Sequence, residues 1–151
     1  VSLGKLRLSG CSISDEDITS GDLESCFDNV GKANIKTIWM GTNSIETLSD
    51  GMFQGLSSLE ELSFGFNNLG SVSENVFQDV PTLTYLYLTY NDLSTLPEGV
   101  FRGLTSLVDL SLGNCNFRTL PSGLFDDLTS LEDLFLSNNN LISLPEDIFY
   151  G

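Results

Sequence analysis

Carboxylates are the only abundant side chains in this sequence that could perform acid–base or metal chemistry. Adjacent carboxylates occur at positions 60–61, 126–127 and 132–133, and an acidic string covers Asp15, Glu16 and Asp17. Acid–base hydrolysis of the glycosidase kind needs two carboxyl groups that face each other across a substrate. Successive side chains of a strand point to opposite faces, so we expect these adjacent pairs to diverge. The pairs therefore predict no catalytic residue.

The acidic string has the composition of a calcium ligand set but the wrong spacing. An EF-hand loop needs Gly at its sixth position and a bidentate carboxylate at its twelfth. Counted from Asp15, those positions hold Ser20 and Cys26. Ser14 and Asp17 stand instead at the spacing of a helix N-cap box, which favours a solvated helix start, with a casual cation site as the alternative. There is no His, P-loop or GxSxG motif, so we expect no enzyme, cofactor or resident metal.

The charge balance excludes nucleic acid as a partner, and the short apolar runs exclude insertion into a membrane. With 6 Lys+Arg against 21 Asp+Glu, the 151-residue chain has a net charge of −15. Such a surface repels phosphate, so nucleic acid is not expected to bind. The apolar runs are also too short to span a bilayer, so direct membrane insertion is not expected either. Three Cys residues cannot complete a disulfide framework.

A 24-residue repeat organises almost the whole sequence. Its units begin at Ile35, Leu59, Leu83, Leu107 and Leu131, with apolar residues three and five positions later. We divide the single domain, residues 1–151, into an irregular first repeat (3–34), four regular repeats (35–58, 59–82, 83–106 and 107–130) and a shorter last one (131–151). The apolar–polar alternation predicts a strand with one buried face in each unit. One such strand cannot bury its face alone, so neighbouring units must stack.

The pattern LxxLxLxxNxLxxLPxxxFxxL resembles the leucine-rich repeat family, over essentially the whole chain. The Leu-Pro pair and the late Phe are most similar to extracellular eukaryotic members, such as Toll-like receptors, small leucine-rich proteoglycans and lamprey variable lymphocyte receptors. The resemblance implies an α/β solenoid wound as a right-handed superhelix. A parallel β-sheet would line its concave face and short 3₁₀ or α turns its convex face. It also implies a role in binding proteins.

Two further columns, each made of the equivalent position in successive repeats, are predicted to hold the coils together. An amide column can satisfy backbone groups of its own and the neighbouring coil, and it comprises Asn43, Asn67, Asn91 and Asn139. Cys11 and Cys115 occupy the same column, where we expect reduced, buried thiols rather than redox or metal sites. On the far side of each coil, aromatic residues predict an internal spine of Phe27, Phe53, Phe77, Phe101, Phe125 and Phe149.

Function is expected on the exposed side chains of the concave sheet and its rim. Exposed aromatic clusters mark interaction sites, and Trp and Tyr are favoured in binding hot spots, although some of these rings could instead shield one another. The predicted partner-binding residues are Trp39, Glu61, Phe66, Tyr85, Tyr87, Tyr90, Asp109, Asp133 and Phe135. The sequence thus predicts a non-catalytic protein-interaction module, the alternative being a structural subunit permanently buried in a larger complex.

The acidic residues and the last repeat add expectations about the partner, and the family resemblance adds one about the location. Asp109 and Asp133 are predicted neighbours, so a basic patch on the partner or a bound cation would relieve their repulsion, with solvent screening as the alternative. The last repeat stops just after Phe149, so we expect further repeats or a capping partner. The family resemblance favours an extracellular or secreted protein. None of the twelve Asn residues lies in an N-x-[S/T] motif, which leaves an organelle lumen as the alternative.

Overall fold

Each repeat contributes one short strand to a six-stranded parallel sheet. The computed structural model describes residues 5–10, 12–19 and 31–149. A 3₁₀ turn covers Lys32–Asn34. In chain order the other elements are β1 (Lys5–Arg7), α1 (Asp15–Thr19), β2 (Thr37–Trp39), β3 (Thr47–Leu48), β4 (Glu61–Ser63), β5 (Ser71–Val72), β6 (Tyr85–Tyr87), β7 (Asp109–Ser111) and β8 (Asp133–Phe135). The large sheet has the order β1-β2-β4-β6-β7-β8, and β3 pairs with β5 in a second, two-stranded sheet.

The register of the large sheet follows the 24-residue spacing. Each strand turns its middle residue inward, and these residues align as Leu6, Ile38, Leu62, Leu86, Leu110 and Leu134. From Ile38 to Leu110 they are almost completely buried. Because side chains alternate along a strand, the two flanking residues of each strand point away from the core. The predicted leucine-rich solenoid is therefore confirmed.

The predicted asparagine ladder is present in the structure. The side-chain oxygen of Asn91 accepts the backbone N–H of Leu69 at 3.0 Å. Its amide nitrogen donates to the carbonyl of Phe64 at 3.1 Å and to that of Leu88 at 2.9 Å. One side chain thus joins two coils and satisfies three buried backbone groups. The same pattern of bonds recurs at Asn43, Asn67 and Asn139.

Cys115 replaces the amide in one rung of this ladder. It is a free, buried thiol, as expected, and its sulfur lies 3.3 Å from the carbonyl oxygen of Leu88. Burial raises the pKa of the thiol to about 11, opposed by a hydrogen bond from the backbone of Asn91. The sulfur therefore stays protonated at neutral pH and can donate. The prediction for Cys11 lies outside the described residues.

A stack of phenylalanine rings runs along the side of the coils opposite the sheet. Adjacent centroids of Phe53, Phe77, Phe101, Phe125 and Phe149 are 5.9 to 6.4 Å apart, and their planes lie within 16° of parallel. Strands in a sheet are only about 4.8 Å apart. The coils therefore fan apart at the spine and close up at the sheet, which places the sheet on the inside of the curve. The spine prediction is confirmed for these five rings, and Phe27 lies outside the described residues.

The convex connections contain less helix than the predicted α/β architecture implies. Proline, which suits the first position of a helical turn, begins three of these connections, at Pro97, Pro121 and Pro145. After Pro97, the backbone N–H groups of Val100, Arg102 and Leu104 each donate to the carbonyl three residues earlier. The donors are two residues apart, whereas in a continuous 3₁₀ helix every successive residue donates. The segment is therefore a series of separate turns. Within the described ranges, no helix is long and apolar enough to cross a membrane.

The first repeat uses its acidic string to form local structure. Helix α1 begins at Asp15, directly after Ser14. Both the backbone N–H and the hydroxyl of Ser14 donate to Asp17 Oδ2 at 2.7 Å. The backbone bond, and to a smaller degree the hydroxyl bond, lowers the pKa of the Asp17 carboxyl. The predicted helix start is confirmed.

Asp15 also closes the edge of the two-stranded convex sheet. Within that sheet, the backbone N–H groups of Gly70 and Ser71 donate to the carbonyl of Glu46. One repeat earlier, the N–H groups of Glu46 and Thr47 donate instead to Asp15 Oδ1, at 2.8 and 3.2 Å. The carboxylate thus takes the place of a backbone carbonyl at an edge that would otherwise present unpaired N–H groups.

Candidate functional site

The outward side chains of the six strands form two parallel rows across the concave sheet. The first row is Lys5, Thr37, Glu61, Tyr85, Asp109 and Asp133. The second row is Arg7, Trp39, Ser63, Tyr87, Ser111 and Phe135. Tyr85 and Phe135 are exposed, whereas Trp39 and Tyr87 are half-buried. Seven of the nine predicted binding residues therefore share one surface.

The other two predicted residues, Phe66 and Tyr90, form the rim of that surface. Their rings stack with centroids 4.1 Å apart and planes 11° from parallel. Even so, Phe66 remains 56% exposed and Tyr90 48% exposed. The stack therefore presents a large apolar area to solvent instead of burying it.

The backbone of this rim column is left-handed in every described repeat. The column, which we call the rim column, consists of Gly10, Thr42, Phe66, Tyr90, Asn114 and Asn138, with φ between 56° and 71°. Gly adopts such angles freely and Asn tolerates them, whereas for a bulky side chain they are a strained outlier. Phe66 and Tyr90 therefore occupy positions where the local backbone favours smaller residues.

Trp39 already has partners within the chain. Its indole Nε1 donates to Glu61 Oε1 at 2.8 Å. The guanidinium carbon of Arg7 lies 3.9 Å from the centre of the Trp39 ring, in cation–π geometry. The two predicted binding residues Trp39 and Glu61 therefore contact each other, and one face of the indole is covered by Arg7. Trp39 lies two strands away from the tyrosines of β6, whereas Glu61 is the neighbour of Tyr85 in register.

Asp109 is the least well satisfied side chain of the surface. Its neighbour in register is Asp133, on β8. Among the described residues, no donor reaches Asp109 Oδ1, which is buried. Burial, and then the charge of Asp133, raise the pKa of the Asp109 carboxyl above its ordinary value. Burial and the charges of Asp109 and Glu61 likewise raise the pKa of the Tyr87 phenol, so Tyr87 stays neutral and able to donate.

The paired carboxylates considered for catalysis are engaged elsewhere. Glu60 forms an ion pair with Lys36 at 2.5 Å, while its neighbour Glu61 accepts from Trp39. On the convex side, Asp127 Oδ2 accepts the backbone N–H of Gly103 at 2.7 Å. The expectation that adjacent strand carboxylates diverge is confirmed for Glu60 and Glu61.

The family assignment rests on the recurring strand and turn pattern that carries this surface. A sequence profile described as "Leucine rich repeat" matches residues 33–93, 58–117, 81–141 and 105–151 in overlapping segments. These matches cover most of the chain and agree with the 24-residue register. The chain belongs to the leucine-rich repeat family. Proteins of this family generally act as interaction modules for other proteins, and the chain has that character.

One solved structure extends the comparison. It is titled "Structure of the Toll - Spatzle complex, a molecular hub in Drosophila development and innate immunity". The leucine-rich repeat chain is similar to a chain of that complex with 30% sequence identity and a TM-score of 0.74. The alignment covers 82% of this chain and 16% of the other, so this chain spans about a sixth of its relative's length. No curated protein sequence matches the chain.

Two features of this leucine-rich repeat surface were missed by sequence reasoning. One is the contact between Arg7 and Trp39, which carries no sequence signal beyond their places in one row. The other is the left-handed backbone of the rim column. Asn114, Asn138 and Gly10 could have revealed it, because these residue types are the ones that tolerate such angles.

Proposed function

We propose that residues 1–151 form one leucine-rich repeat domain that binds a protein partner through its concave face. The contact centres on Tyr85 and Tyr87 and on the stacked rim pair Phe66 and Tyr90. The observation that carries this proposal is the rim pair itself. Two bulky rings sit on left-handed backbone yet stay about half exposed, so they cost the free protein conformational energy without burying their area in return. Exposed aromatic rings are favoured contacts in protein interfaces.

The similarity to a chain of the Toll–Spatzle complex supports a receptor-like role with a protein as the partner. We extend the proposal to an extracellular or secreted location, which the form of the repeats favours. The domain would then act by recognition, with no catalytic step of its own.

The size of the sheet limits how the partner binds. Six strands about 4.8 Å apart, each exposing about 15 Å, give a footprint on the order of 430 Å². A standard interface buries about 800 Å² on each partner. The partner must therefore also contact the rim column, or further repeats must extend the sheet. The exposed position of Phe66 and Tyr90 fits the first of these arrangements.

The alternative function is that of a structural subunit buried in a larger complex. The observation that favours it is the exposure of Ile142, Leu144 and Phe149 in the last repeat. Size-exclusion chromatography with light scattering separates the two functions. A recognition module stays monomeric and soluble, whereas a structural subunit aggregates until its partner is supplied.

A comparative pull-down tests the main proposal. The wild-type chain is used as bait beside Trp39→Ala/Tyr87→Ala and beside a convex control, Gln54→Ala/Gln78→Ala, whose side chains are exposed away from the sheet. We expect proteins that the wild type and the control retain and the concave variant loses. For a captured protein, Tyr87→Ala should weaken the measured Kd by about 30-fold, as expected for a central anchor. A partner whose affinity survives both concave substitutions binds elsewhere and overturns the proposal.

A further inference from the structure

The concave surface is electrostatically divided between its two ends. All six Lys and Arg residues of the chain are described, and the two that lie on the concave sheet are Lys5 and Arg7, both on β1. The outward residues of the last three strands carry two carboxylates and no basic group: Tyr85, Tyr87, Asp109, Ser111, Asp133 and Phe135. Among the described residues, therefore, no Lys or Arg side chain of the sheet lies beside Asp109 or Asp133.

The aromatic and acidic side chains of this end are direct neighbours. Tyr85 is paired in register with Asp109, and Asp109 with Asp133, so the three lie in one row on consecutive strands. Asp109 Oδ1 has no hydrogen-bond donor among the described residues, although it is shielded from solvent. A buried carboxylate oxygen without a donor is costly in the free protein. The row therefore has no cationic donor among the described residues. A partner's cation would meet it at Tyr85 and Asp133, which are exposed beside the shielded oxygen of Asp109.

We propose that Tyr85, Asp109 and Asp133 receive an arginine side chain of the protein partner. This proposal rests on the concave binding function above and adds the chemistry of the contact. A guanidinium presents five N–H donors in a planar fork that matches carboxylates, and its flat face stacks on aromatic rings. Tyr85 is exposed beside the two acids, so one side chain can bond the carboxylates while its plane lies against the tyrosine ring. Lysine offers a point charge without that stacking surface.

A metal ion is the less favoured occupant. Among the described residues, no group of three or more His, Cys, Asp or Glu side chains is placed to hold one. Two neighbouring carboxylates with aromatic rings beside them match a planar organic cation better than a hydrated divalent ion, which prefers six or more oxygen ligands.

Selection from a random dodecapeptide phage library tests the proposal with a defined probe. Peptides selected on the wild-type chain should be enriched in arginine, and those selected on Asp109→Asn/Asp133→Asn should not. Selected peptides are then synthesised with arginine, lysine or the neutral isostere citrulline at the enriched position. We expect Kd to rise at least about tenfold with citrulline, and by a smaller factor with lysine. The arginine peptide should also bind the double variant at least about tenfold more weakly.

A matched control separates local contact from net charge. Asp50→Asn/Asp126→Asn removes the same two charges from exposed convex positions, and we expect it to change Kd less than twofold. Thermal melts confirm that each variant is folded, and Asp133→Asn alone repeats the test at an exposed position. Competition by millimolar Ca²⁺ would make a metal ion the occupant and overturn the proposal.

The remaining outcomes distinguish this proposal from the binding function on which it rests. Peptides that lose binding on Tyr87→Ala but show no dependence on arginine overturn the arginine site and leave concave binding intact. Peptides that bind Tyr87→Ala and the double Asp variant as tightly as they bind the wild-type chain contradict both the arginine site and concave binding. Failure to enrich any arginine-containing peptide also counts against the arginine site.

Discussion

Two columns that are adjacent in every repeat meet opposite demands. The rim column is mostly exposed and has left-handed backbone, whereas the asparagine ladder, one residue later, is mostly buried and bonded to two coils. Where the rim column departs from Gly or Asn, at Thr42, Phe66 and Tyr90, the side chains remain exposed. Where the ladder departs from Asn, at Cys115, the new side chain is buried and weakly bonded. Variation at the rim can therefore serve binding, while variation in the ladder must be absorbed by the core.

The largest expected effect is at the ladder. Asn91→Ala leaves the backbone N–H of Leu69 without its acceptor, which costs about 1–3 kcal/mol. It also removes one of the two side-chain donors from each of the carbonyls of Phe64 and Leu88, which keep their bonds from Asn67 and Cys115. We expect the free energy of unfolding to fall by about 3 kcal/mol in chemical denaturation. Ser111→Ala on the concave row is the control and should change it by less than about 0.5 kcal/mol. Equal losses from the two substitutions would show that the ladder is not a stabilising device.

The second prediction tests whether cysteine is a weaker rung. Cys115→Ala loses a small buried group and two weak sulfur hydrogen bonds, so we expect a loss of about 1 kcal/mol. The measurement is the same denaturation curve, with Asn91→Cys as the reciprocal change. Asn91→Cys should be less damaging than Asn91→Ala, because the thiol can still donate. A loss at Cys115 as large as that at Asn91 would contradict the ranking of the two rungs.

The third prediction measures backbone strain at the rim. Tyr90→Ala and Tyr90→Asn both remove the stack with Phe66, but Asn tolerates left-handed backbone better than Ala. We expect Tyr90→Asn to be more stable by about 0.5–1 kcal/mol in thermal melts. Thr95, which is exposed and has no left-handed φ, provides the matched pair of substitutions. If Thr95 shows the same preference for Asn over Ala, the strain argument fails.

The smallest expected effect concerns pH and the acidic end of the sheet. Because the pKa of Asp109 is raised on folding, its contribution to stability is complete below the pKa of the unfolded chain. That contribution is lost as pH rises through the folded pKa. Asp109→Asn removes this loss, so the melting temperature of the variant relative to wild type should be higher at pH 7 than at pH 3.5. Asp126→Asn, exposed on the convex side, should show no such difference.

Much of the fold could be predicted because the 24-residue spacing leaves one way to align the strands. That spacing placed Leu62, Leu86 and Leu110 inside and the tyrosines of β6 outside. Proline was less informative, since it fits both a 3₁₀ helix and a simple turn, and the structure contains turns after Pro97. The environment of Trp39 depends on Arg7 from the irregular first repeat. Aromatic residue types at positions 66 and 90 carry no signal for left-handed backbone.

The unequal spacing of the coils has a mechanical consequence. Ring centroids are 4.1 Å apart at the rim, and they are 5.9 to 6.4 Å apart along the phenylalanine spine. Treated as an elastic arch, the domain shortens the spacing at Phe66 and Tyr90 and lengthens the spacing along the spine when it closes. Closing the arch drives the rim rings toward their contact limit of about 3.5 Å, whereas opening it only loosens one exposed stack. The arch is thus stiff toward narrower partners and compliant toward broader ones.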